Sequence, residues 1–374
     1  MFDRRLIKHF DWGLVALIFI IGMIGLGILY SALTAGNETG AVHVLFKKQM
    51  VWMGAGFMVM IIILMIDFRD LDKINLFVYS LCIGLLISVI VFGQIGGGSR
   101  RWLLIGFIRI QPSELMKIAL IISLASVYST CISETGLNFR KLIKPAVLCL
   151  IPFGLIVDQP DLGTGLLLLL IAGSITLFVK LERKVLYILS GICLAAVPLL
   201  WSGLKSYQKS RILTFLDPDR DPLGAGYHII QSKIAIGSGM LAGKGFLKGT
   251  QNALSFLPEH HTDFIISVLA EEWGLMGCSI LLLLYFIVLL WGLNIAYNCR
   301  NMFGSILAFG ITAMIFWEIF INIGMVMGLM PVVGVPLPLI SYGGSSVITN
   351  MVGFGILLNI SMRNFSSNKN YIRP

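Results

Sequence analysis

Ten long apolar runs divide this chain, and polar connections separate them. The hydrocarbon core of a bilayer needs about 20 apolar residues per helix, and most of the runs approach that length. The pattern therefore predicts an all-α polytopic membrane protein, a bundle of about ten transmembrane helices in a single domain over residues 1–374. The predicted spans are about 12–31, 49–67, 74–93, 113–130, 144–158, 163–180, 185–203, 263–292, 303–329 and 340–361.

The composition supports a membrane protein and excludes an ordinary soluble one. The chain is 57% apolar and 13% charged, with a mean hydropathy of +0.90, whereas soluble domains are about 25% charged. The net charge of +9 would suit nucleic acid, but the basic residues do not form runs interleaved with aromatic residues. No nucleic-acid partner is expected. The six cysteines lack metal-ligand spacing, and none lies in the long polar segment, which argues against zinc and disulfides.

The distribution of Lys and Arg predicts the orientation, because short cytoplasmic connections are enriched in these residues. The short connections on the other side hold only Lys47, Lys48, Arg100, Arg101 and Arg109. Both termini are therefore expected in the cytoplasm, and the long loop at about 204–262 outside it. The side predicted to be cytoplasmic carries Arg4, Arg5, Lys8, Arg69, Lys73, Arg140, Lys141, Lys144, Lys180, Arg183, Lys184, Arg300, Arg363, Lys369 and Arg373.

The long loop is itself basic, and two explanations stay open. Its cations favour an anionic partner, yet long loops also cross the membrane whatever their charge. Lys244 lies in LAGKGFLKGT, where lysines and backbone amides can hold a pyrophosphate, or where the chain simply turns. The stretch 227–236 is amphipathic and is expected along the membrane surface. The cations of the loop are Lys205, Lys209, Arg211, Arg220, Lys233, Lys244 and Lys248.

Two charged pairs border the fourth and sixth spans. Glu114 and Lys117, in QPSELMKIA, share one helix face and can form an ion pair. The pair is either an interfacial bridge with a snorkelling lysine, or part of a polar cavity that Arg109 can join. Asp158 and Asp161 lie in DQPDLGTG. Asp161 is placed to cap the sixth span or to face the same cavity.

The run PEHHTD, residues 258–263, precedes the eighth span. A carboxylate at the edge of a bilayer is costly unless it is used, so Asp263 is a candidate catalytic base. Capping of the eighth span is the competing interpretation, and the two roles are compatible. Glu259, His260 and His261 match no zinc-ligand spacing. Two further carboxylates, at 271 and 272, need partners or water inside the span.

The connection before the last span, PVVGVPLPLISYGGSS, contains three prolines that forbid a regular helix. Irregular backbone at membrane depth is tolerated where it is buried or lines a cavity. The segment is therefore expected to fold back against the bundle.

Taken in order, these motifs resemble those of the SEDS family (shape, elongation, division and sporulation). They are QPSELMKIA, DQPDLGTG, DPLGAGYHIIQSKIAIGSG, LPEHHTDFI, LAEEWG and PVVGVPLPLISYGGSS, and the resemblance covers nearly the whole chain. It implies a ten-span peptidoglycan glycosyltransferase of the bacterial cytoplasmic membrane. Such an enzyme polymerises lipid II on the outer face, here for lateral cell-wall elongation and rod shape. A lipid II flippase is the alternative activity suggested for the family.

The resemblance also implies roles for residues and partners. The essential aspartate of the family falls on Asp263, the expected general base, and its cavity residues fall on Glu114 and Lys117, which are expected to be catalytic as well. Lys117 would stabilise charge on the leaving pyrophosphate, and Glu114 would orient Lys117 or help hold a divalent ion. A divalent cation, Mg²⁺ or Mn²⁺, is a possible cofactor, with Glu114 and Asp263 as possible ligands. The expected partners are a class B penicillin-binding protein and the cell-elongation complex. Residues expected to bind the substrate and its pyrophosphate are Arg109, Asp161, Arg211, Lys244 and Ser341.

Overall fold

The computed structural model describes residues 10–34, 39–96, 99–106, 108–131, 136–203, 206–221, 224–253 and 262–363. Helices dominate this part of the chain, which confirms the predicted all-α polytopic fold. In chain order they are α1 Trp12–Thr34, α2 Thr39–Met65, α3 Phe68–Lys73, α4 Asn75–Phe92, α5 Pro112–Cys131, α6 Phe139–Asp158, α7 Leu162–Phe178, α8 Arg183–Gly203, α9 Ser206–Leu216, α10 Ala225–Ser238, α11 Thr250–Ala253, α12 Ile265–Asn298, α13 Met302–Val326 and α14 Gly344–Arg363.

A helix lies at each of the ten predicted spans. Within the described residues, seven helices are long and apolar enough to cross a membrane: α1, α2 from Val44 onward, α4, α5, α12, α13 and α14. Helix α7 is apolar but has only 17 residues. Helices α6 and α8 complete the ten, and each contains proline within its length.

Burial separates central from peripheral helices. In α5, α13 and α14, 72%, 72% and 83% of the apolar window is buried inside the protein, against 22% in α2, α4 and α12. Helices that are apolar all round are typical of a buried position or a membrane span. The first three therefore form the centre of the bundle, and the others present apolar side chains outward.

A small antiparallel sheet connects α4 to α5. Its strands are β1 Gln94–Gly96, β2 Ser99–Ile105 and β3 Ile108–Ile110, with β2 in the middle. The register pairs Leu104 with Arg109. No strands were predicted here from the apolar pattern of the sequence. The sheet brings Arg109 to the end of the bundle where α5 begins.

The long polar segment is largely helical, and α10 packs against the bundle. Ile229, Ser232 and Ala235 are buried along one face of α10. The Ser232 hydroxyl donates to the Val326 carbonyl (2.7 Å) and lies 2.9 Å from the Ser267 hydroxyl. The amphipathic stretch predicted at 227–236 is therefore a helix whose buried face contacts α12 and α13.

Helix α12 is interrupted at Gly274, whose φ of 62° and ψ of −160° are not helical. In a continuous helix, the next two N–H groups would bond the carbonyls four residues earlier. A loop at 240–245 supplies the replacement partners. The bonds are Leu275 N–H to the Met240 carbonyl (2.9 Å), Met276 N–H to the Leu241 carbonyl (3.1 Å), Lys244 N–H to the Glu271 carbonyl (3.0 Å) and Gly245 N–H to the Glu272 carbonyl (2.9 Å).

Gly274→Ala is expected to destabilise the protein, because this backbone conformation is essentially restricted to glycine and costs other residues about 1–3 kcal/mol. A β-carbon at this position would also lie 2.4 Å from the Gly243 backbone nitrogen. The thermal unfolding midpoint in detergent, followed by intrinsic fluorescence, should fall. Gly84→Ala in α4 is the matched control, since no described group outside the adjacent turns of α4 lies within 4 Å of its β-carbon position. Equal midpoints for the two variants would contradict this account.

Candidate active site

Asp263 lies in a turn that precedes α12 and is partly exposed. The helix cap is Phe264, which makes no side-chain capping bond, so the interpretation of Asp263 as the N-cap is wrong. The backbone carbonyl of Asp263 accepts a hydrogen bond from the Asn322 amide nitrogen on α13 (3.0 Å). Residues 258–261 of the PEHHTD run lie outside the described part of the chain.

The segment 331–343 folds back against the bundle, as the sequence predicted, and there it contacts this turn. The amide nitrogen of Asn322 also donates to the Val335 carbonyl (2.8 Å). The Ser341 hydroxyl donates to the Thr262 carbonyl (2.7 Å) and accepts from the Leu337 N–H (2.9 Å). Ser341 is only 2% exposed. In this structure its hydroxyl holds backbone, and its predicted contact with substrate stays a prediction.

The carboxylate of Asp263 faces a glycine of the same segment. A β-carbon placed on Gly334, whose φ is +73°, would lie 3.3 Å from the Oδ2 atom of Asp263. Any side chain at that position would therefore crowd the carboxylate. The backbone at Asp263 is thus bonded by Asn322, and the backbone of the preceding residue, Thr262, by Ser341. Glycine at position 334 avoids a β-carbon close to the Asp263 carboxylate.

Arg109 is exposed and lies near the start of α14. Its carbonyl accepts from the Ser345 hydroxyl (3.4 Å), which in turn accepts from the Gln111 N–H (3.2 Å). Burial raises the pKa of Tyr342, and the positive charge of Arg109 opposes that rise. Arg109 therefore lies, through its backbone, beside the start of α14, next to the segment that also contacts the Asp263 turn.

Asp161 caps α7, as predicted, and is buried. Its carboxylate accepts from the Thr164 N–H (3.4 Å) and hydroxyl (3.0 Å), and from the Gln111 amide (3.0 Å). The Ser113 hydroxyl (3.4 Å) and the Arg101 guanidinium (3.5 Å) are further donors. These bonds join α7 to β2 and to the start of α5, so in this structure Asp161 holds three elements together.

Lys117 is completely buried between two carboxylates. Its ammonium lies 2.9 Å from Glu114 and 2.5 Å from Glu318 on α13. The predicted ion pair is confirmed, but the snorkelling lysine is wrong, because Lys117 and Glu318 are both 0% exposed. The positive charge of Lys117 is thus paired with carboxylates of the protein inside the bundle.

Lys244 pairs with the first of the two adjacent carboxylates in α12. Its ammonium, 27% exposed, lies 2.6 Å from Glu271 Oε1 and 2.8 Å from the Thr250 hydroxyl. The same oxygen accepts from the Thr250 N–H (2.8 Å). The Ser31 hydroxyl donates to Glu272. Both carboxylates therefore have partners, as the sequence analysis required.

Glu271→Ala is expected to loosen the segment that carries Lys244, because it removes the acceptor shared by the ammonium, the Thr250 hydroxyl and two backbone N–H groups. Limited trypsin digestion in detergent should cleave after Lys244 or Lys248 several-fold faster. Ser238→Ala is a suitable control, since its hydroxyl bonds a carbonyl of its own helix. Unchanged cleavage in the Glu271 variant would show that this carboxylate does not hold the segment.

Arg211 is the remaining residue that the sequence predicted to bind substrate. It is half-buried on α9, which packs against the 3₁₀ turn Pro218–Arg220 and α10.

The described residues contain no group of three or more His, Cys, Asp or Glu side chains able to hold a metal ion. Glu114, which is bonded to Lys117, and Asp263 do not form such a group, so no metal-dependent step is derived from them.

Glu318 and Asn322 were not predicted from the sequence to belong to the site. Both were visible as polar residues inside the ninth span, and charged residues within spans are functional candidates by default. The sequence did not show which residues they contact, because the partner of Glu318, Lys117, and the partner of Asn322, Asp263, are distant along the chain.

These features define a class: a polytopic helical membrane protein with a buried ion cluster inside its bundle, and with an exposed arginine and an aspartate of fixed backbone at one end of it. The family model described as "Cell cycle protein", of the FtsW, RodA and SpoVE group, matches residues 9–366. The chain belongs to this family, which confirms the resemblance found in the sequence.

Named relatives match over most of their length. The peptidoglycan glycosyltransferase MrdB of Escherichia coli K12 is 44% identical over 335 residues, which cover 89% of this chain and 90% of that protein. The peptidoglycan glycosyltransferase RodA of Treponema pallidum is 33% identical, covering 96% of this chain and 99% of that protein.

Solved structures share the fold. The crystal structure of the rod shape determining protein RodA of Thermus thermophilus superposes with a TM-score of 0.71 at 28% identity, covering 95% of this chain and 98% of that chain. A structure described as "Structural coordination of polymerization and crosslinking by a peptidoglycan synthase complex" gives a TM-score of 0.80 at 30% identity, with the same coverage.

Proposed function

We propose that this chain is a peptidoglycan glycosyltransferase that polymerises lipid II, an undecaprenyl-pyrophosphate-linked disaccharide peptide, into glycan strands for lateral cell-wall elongation and rod shape. The names of relatives up to 44% identical support the reaction class. The observation that carries the site is the Asp263 turn. Its backbone is held by Asn322, its carboxylate faces Gly334, and it lies against the segment that Arg109 approaches.

In the proposed reaction, Asp263 is the general base. The 4-hydroxyl of the acceptor sugar attacks the anomeric carbon of the donor and transfers its proton to the Asp263 carboxylate. A carbon–oxygen bond forms at the anomeric carbon as its bond to the lipid pyrophosphate breaks. One displacement inverts the configuration, so an α-linked donor gives a β-1,4 bond. The Asp263 carboxylate is partly exposed and its backbone is held in place. Both properties fit a general base that accepts a proton from one particular hydroxyl, that of the acceptor sugar.

Cations near the leaving group stabilise the charge that develops on the pyrophosphate. Arg109 is the strongest candidate because it is exposed beside the segment 331–345. Arg211 and Lys244 are further candidates, although Lys244 would first have to leave Glu271. Lys117 is enclosed by two carboxylates, so we assign it to holding α5 against α13. A divalent ion, Mg²⁺ or Mn²⁺, stays part of the proposal as a companion of the substrate pyrophosphate.

The proposed setting is the bacterial cytoplasmic membrane. The protein is multi-pass, and the distribution of Lys and Arg supports an orientation with both termini in the cytoplasm and Asp263 on the outer face. The proposed partners are a class B penicillin-binding protein, which crosslinks the strands, and the cell-elongation complex. The structural likeness to a peptidoglycan synthase complex supports a crosslinking partner.

A lipid II flippase is the second candidate, and the charged cluster at Lys117, buried inside the bundle, is the observation that favours it. Carriers place their substrate site near the middle of the membrane with alternating access. Asp263 and Arg109 instead lie near ends of helices or strands, at one end of the bundle. That placement favours an enzyme whose substrate stays on one face.

The test uses the purified full chain with lipid II, with and without Mg²⁺, Mn²⁺ or a chelator. We expect undecaprenyl pyrophosphate release together with glycan polymer, and a chelator-sensitive rate if the ion accompanies the pyrophosphate. In sealed vesicles, labelled lipid II should not change leaflet faster than in protein-free vesicles. Fast translocation without polymer would favour the flippase and overturn the proposal.

A further inference from the structure

Glu318 is an unusual residue for the centre of a membrane bundle. It lies in α13 with no exposed surface, and its Oε1 atom is 2.5 Å from the Lys117 ammonium. Its Oε2 atom is buried and makes no hydrogen bond of ordinary geometry among the described residues, although the Asn350 side chain on α14 neighbours the carboxylate. One lysine here faces two carboxylates, since Glu114 is also buried. Burying an incompletely paired carboxylate is costly, and the Glu114–Lys117 pair would be neutral without it.

One turn beyond Glu318, the same face of α13 contacts the candidate active site. Asn322 follows Glu318 by four residues, a spacing that places two side chains on one helix face. Both hydrogen bonds from its amide nitrogen reach the site, at the carbonyls of Asp263 (3.0 Å) and Val335 (2.8 Å). Its own oxygen, like Oε2 of Glu318, is buried and makes no hydrogen bond of ordinary geometry among the described residues. The described hydrogen bonds of the Asn322 side chain therefore all go to the site, and α13 sets the position from which it makes them.

We infer that Glu318 is a positioning residue for the proposed reaction. Its bond to Lys117 fixes α13 against α5, and α13 in turn presents the Asn322 amide to the backbone of the catalytic base and to the segment facing it. The inference rests on the proposed function for its kinetic meaning. Its structural part, that Glu318 sets the position of the Asp263 turn, stands on the described contacts.

Glu318→Gln is the informative substitution, because it keeps the shape of the side chain and removes its charge. The Glu114–Lys117 ion pair is then neutral, so the variant is expected to fold with a thermal midpoint at or above that of wild type. Small misplacements of a catalytic group are costly to the chemical step. We expect kcat for lipid II polymerisation to fall at least tenfold, with KM within twofold. Glu318→Asp, which keeps the charge, should recover part of the loss.

A double-mutant cycle with Lys117→Gln tests whether Glu318 acts through Lys117. If it does, the double variant loses no more kcat than the worse single variant, because coupled residues are not additive. Thr312→Val is the matched control on α13. Its hydroxyl bonds the Ala308 carbonyl of its own helix (2.8 Å), so activity should stay near wild type.

Hydrogen–deuterium exchange of peptides covering residues 262–268 gives a readout that does not depend on activity. Exchange there should be several-fold faster in Glu318→Gln than in wild type or Thr312→Val. Wild-type exchange, or a kcat within twofold of wild type, would overturn the positioning role. Losses that multiply in the cycle would overturn the route through Lys117. An inactive wild type would instead count against the proposed function. The hydrogen–deuterium exchange result would still decide whether Glu318 sets the position of the Asp263 turn.

Discussion

Lys117→Met is expected to cause a large loss of stability. The methionine fills a similar volume but leaves Glu114 and Glu318 as two buried carboxylates without a cation. Removing one partner of a buried ion pair typically costs about 3–5 kcal/mol, because the remaining charge is uncompensated. The thermal midpoint in detergent should fall by roughly 10 °C, on a scale of about 2–4 °C per kcal/mol for larger domains, and the yield of folded protein should fall with it.

The matched control neutralises the whole cluster. The triple variant Lys117→Met, Glu114→Gln, Glu318→Gln carries no buried charge at this place, so most of the lost stability should return. If Lys117→Met unfolds at the wild-type temperature, the two carboxylates do not depend on the lysine. The cluster would then not hold α5 against α13.

Asp263→Asn is expected to have the largest effect on activity. The amide has the size of the carboxylate but cannot accept the proton of the acceptor hydroxyl at neutral pH. General-base catalysis contributes about 10²–10⁴-fold, so kcat for polymerisation should fall by that factor. Stability should change little, because the bond from Asn322 goes to the backbone carbonyl of Asp263 rather than to its side chain.

Asp219→Asn is the control for loss of a negative charge in the same polar segment. Asp219 is exposed and lies in the 3₁₀ turn Pro218–Arg220, so its replacement should leave the rate within twofold of wild type. Equal rates for the Asp263 and Asp219 variants, with both proteins folded, would remove Asp263 from the role of base.

Local patterns were enough to predict much of the fold. The spans followed from the lengths of the apolar runs, and the Glu114–Lys117 pair followed from helical spacing. The cap at Asp161 followed from a favoured residue at the start of a helix. In each of these cases the interacting groups are neighbours along the chain, and their geometry is that of a single helix.

The features that the sequence missed depend on distant contacts. Glu318 meets Lys117, and Asn322 meets Asp263, only after three helices have packed together. The backbone exchange at Gly274 likewise needs the loop 240–245 beside it. No periodicity within one segment contains this information.

The capping error at Asp263 has a related cause. Aspartate before an apolar run is a favoured cap, and that local preference supported the prediction. Tertiary contacts decide otherwise, because Asn322 holds the Asp263 carbonyl and Ser341 holds the Thr262 carbonyl. The helix consequently begins at Ile265, with Asp263 in the turn before it.

Polymerisation of lipid II by the purified chain in detergent tests the central claim most directly, because no bilayer is present across which a carrier could act. The assay includes the crosslinking partner, with its transpeptidase site blocked by a β-lactam, and compares wild type with Asp263→Asn. The account predicts glycan strands on a gel from wild type and at least 100-fold slower synthesis by Asp263→Asn. No polymer from folded wild type, or equal polymer from both proteins, would contradict it.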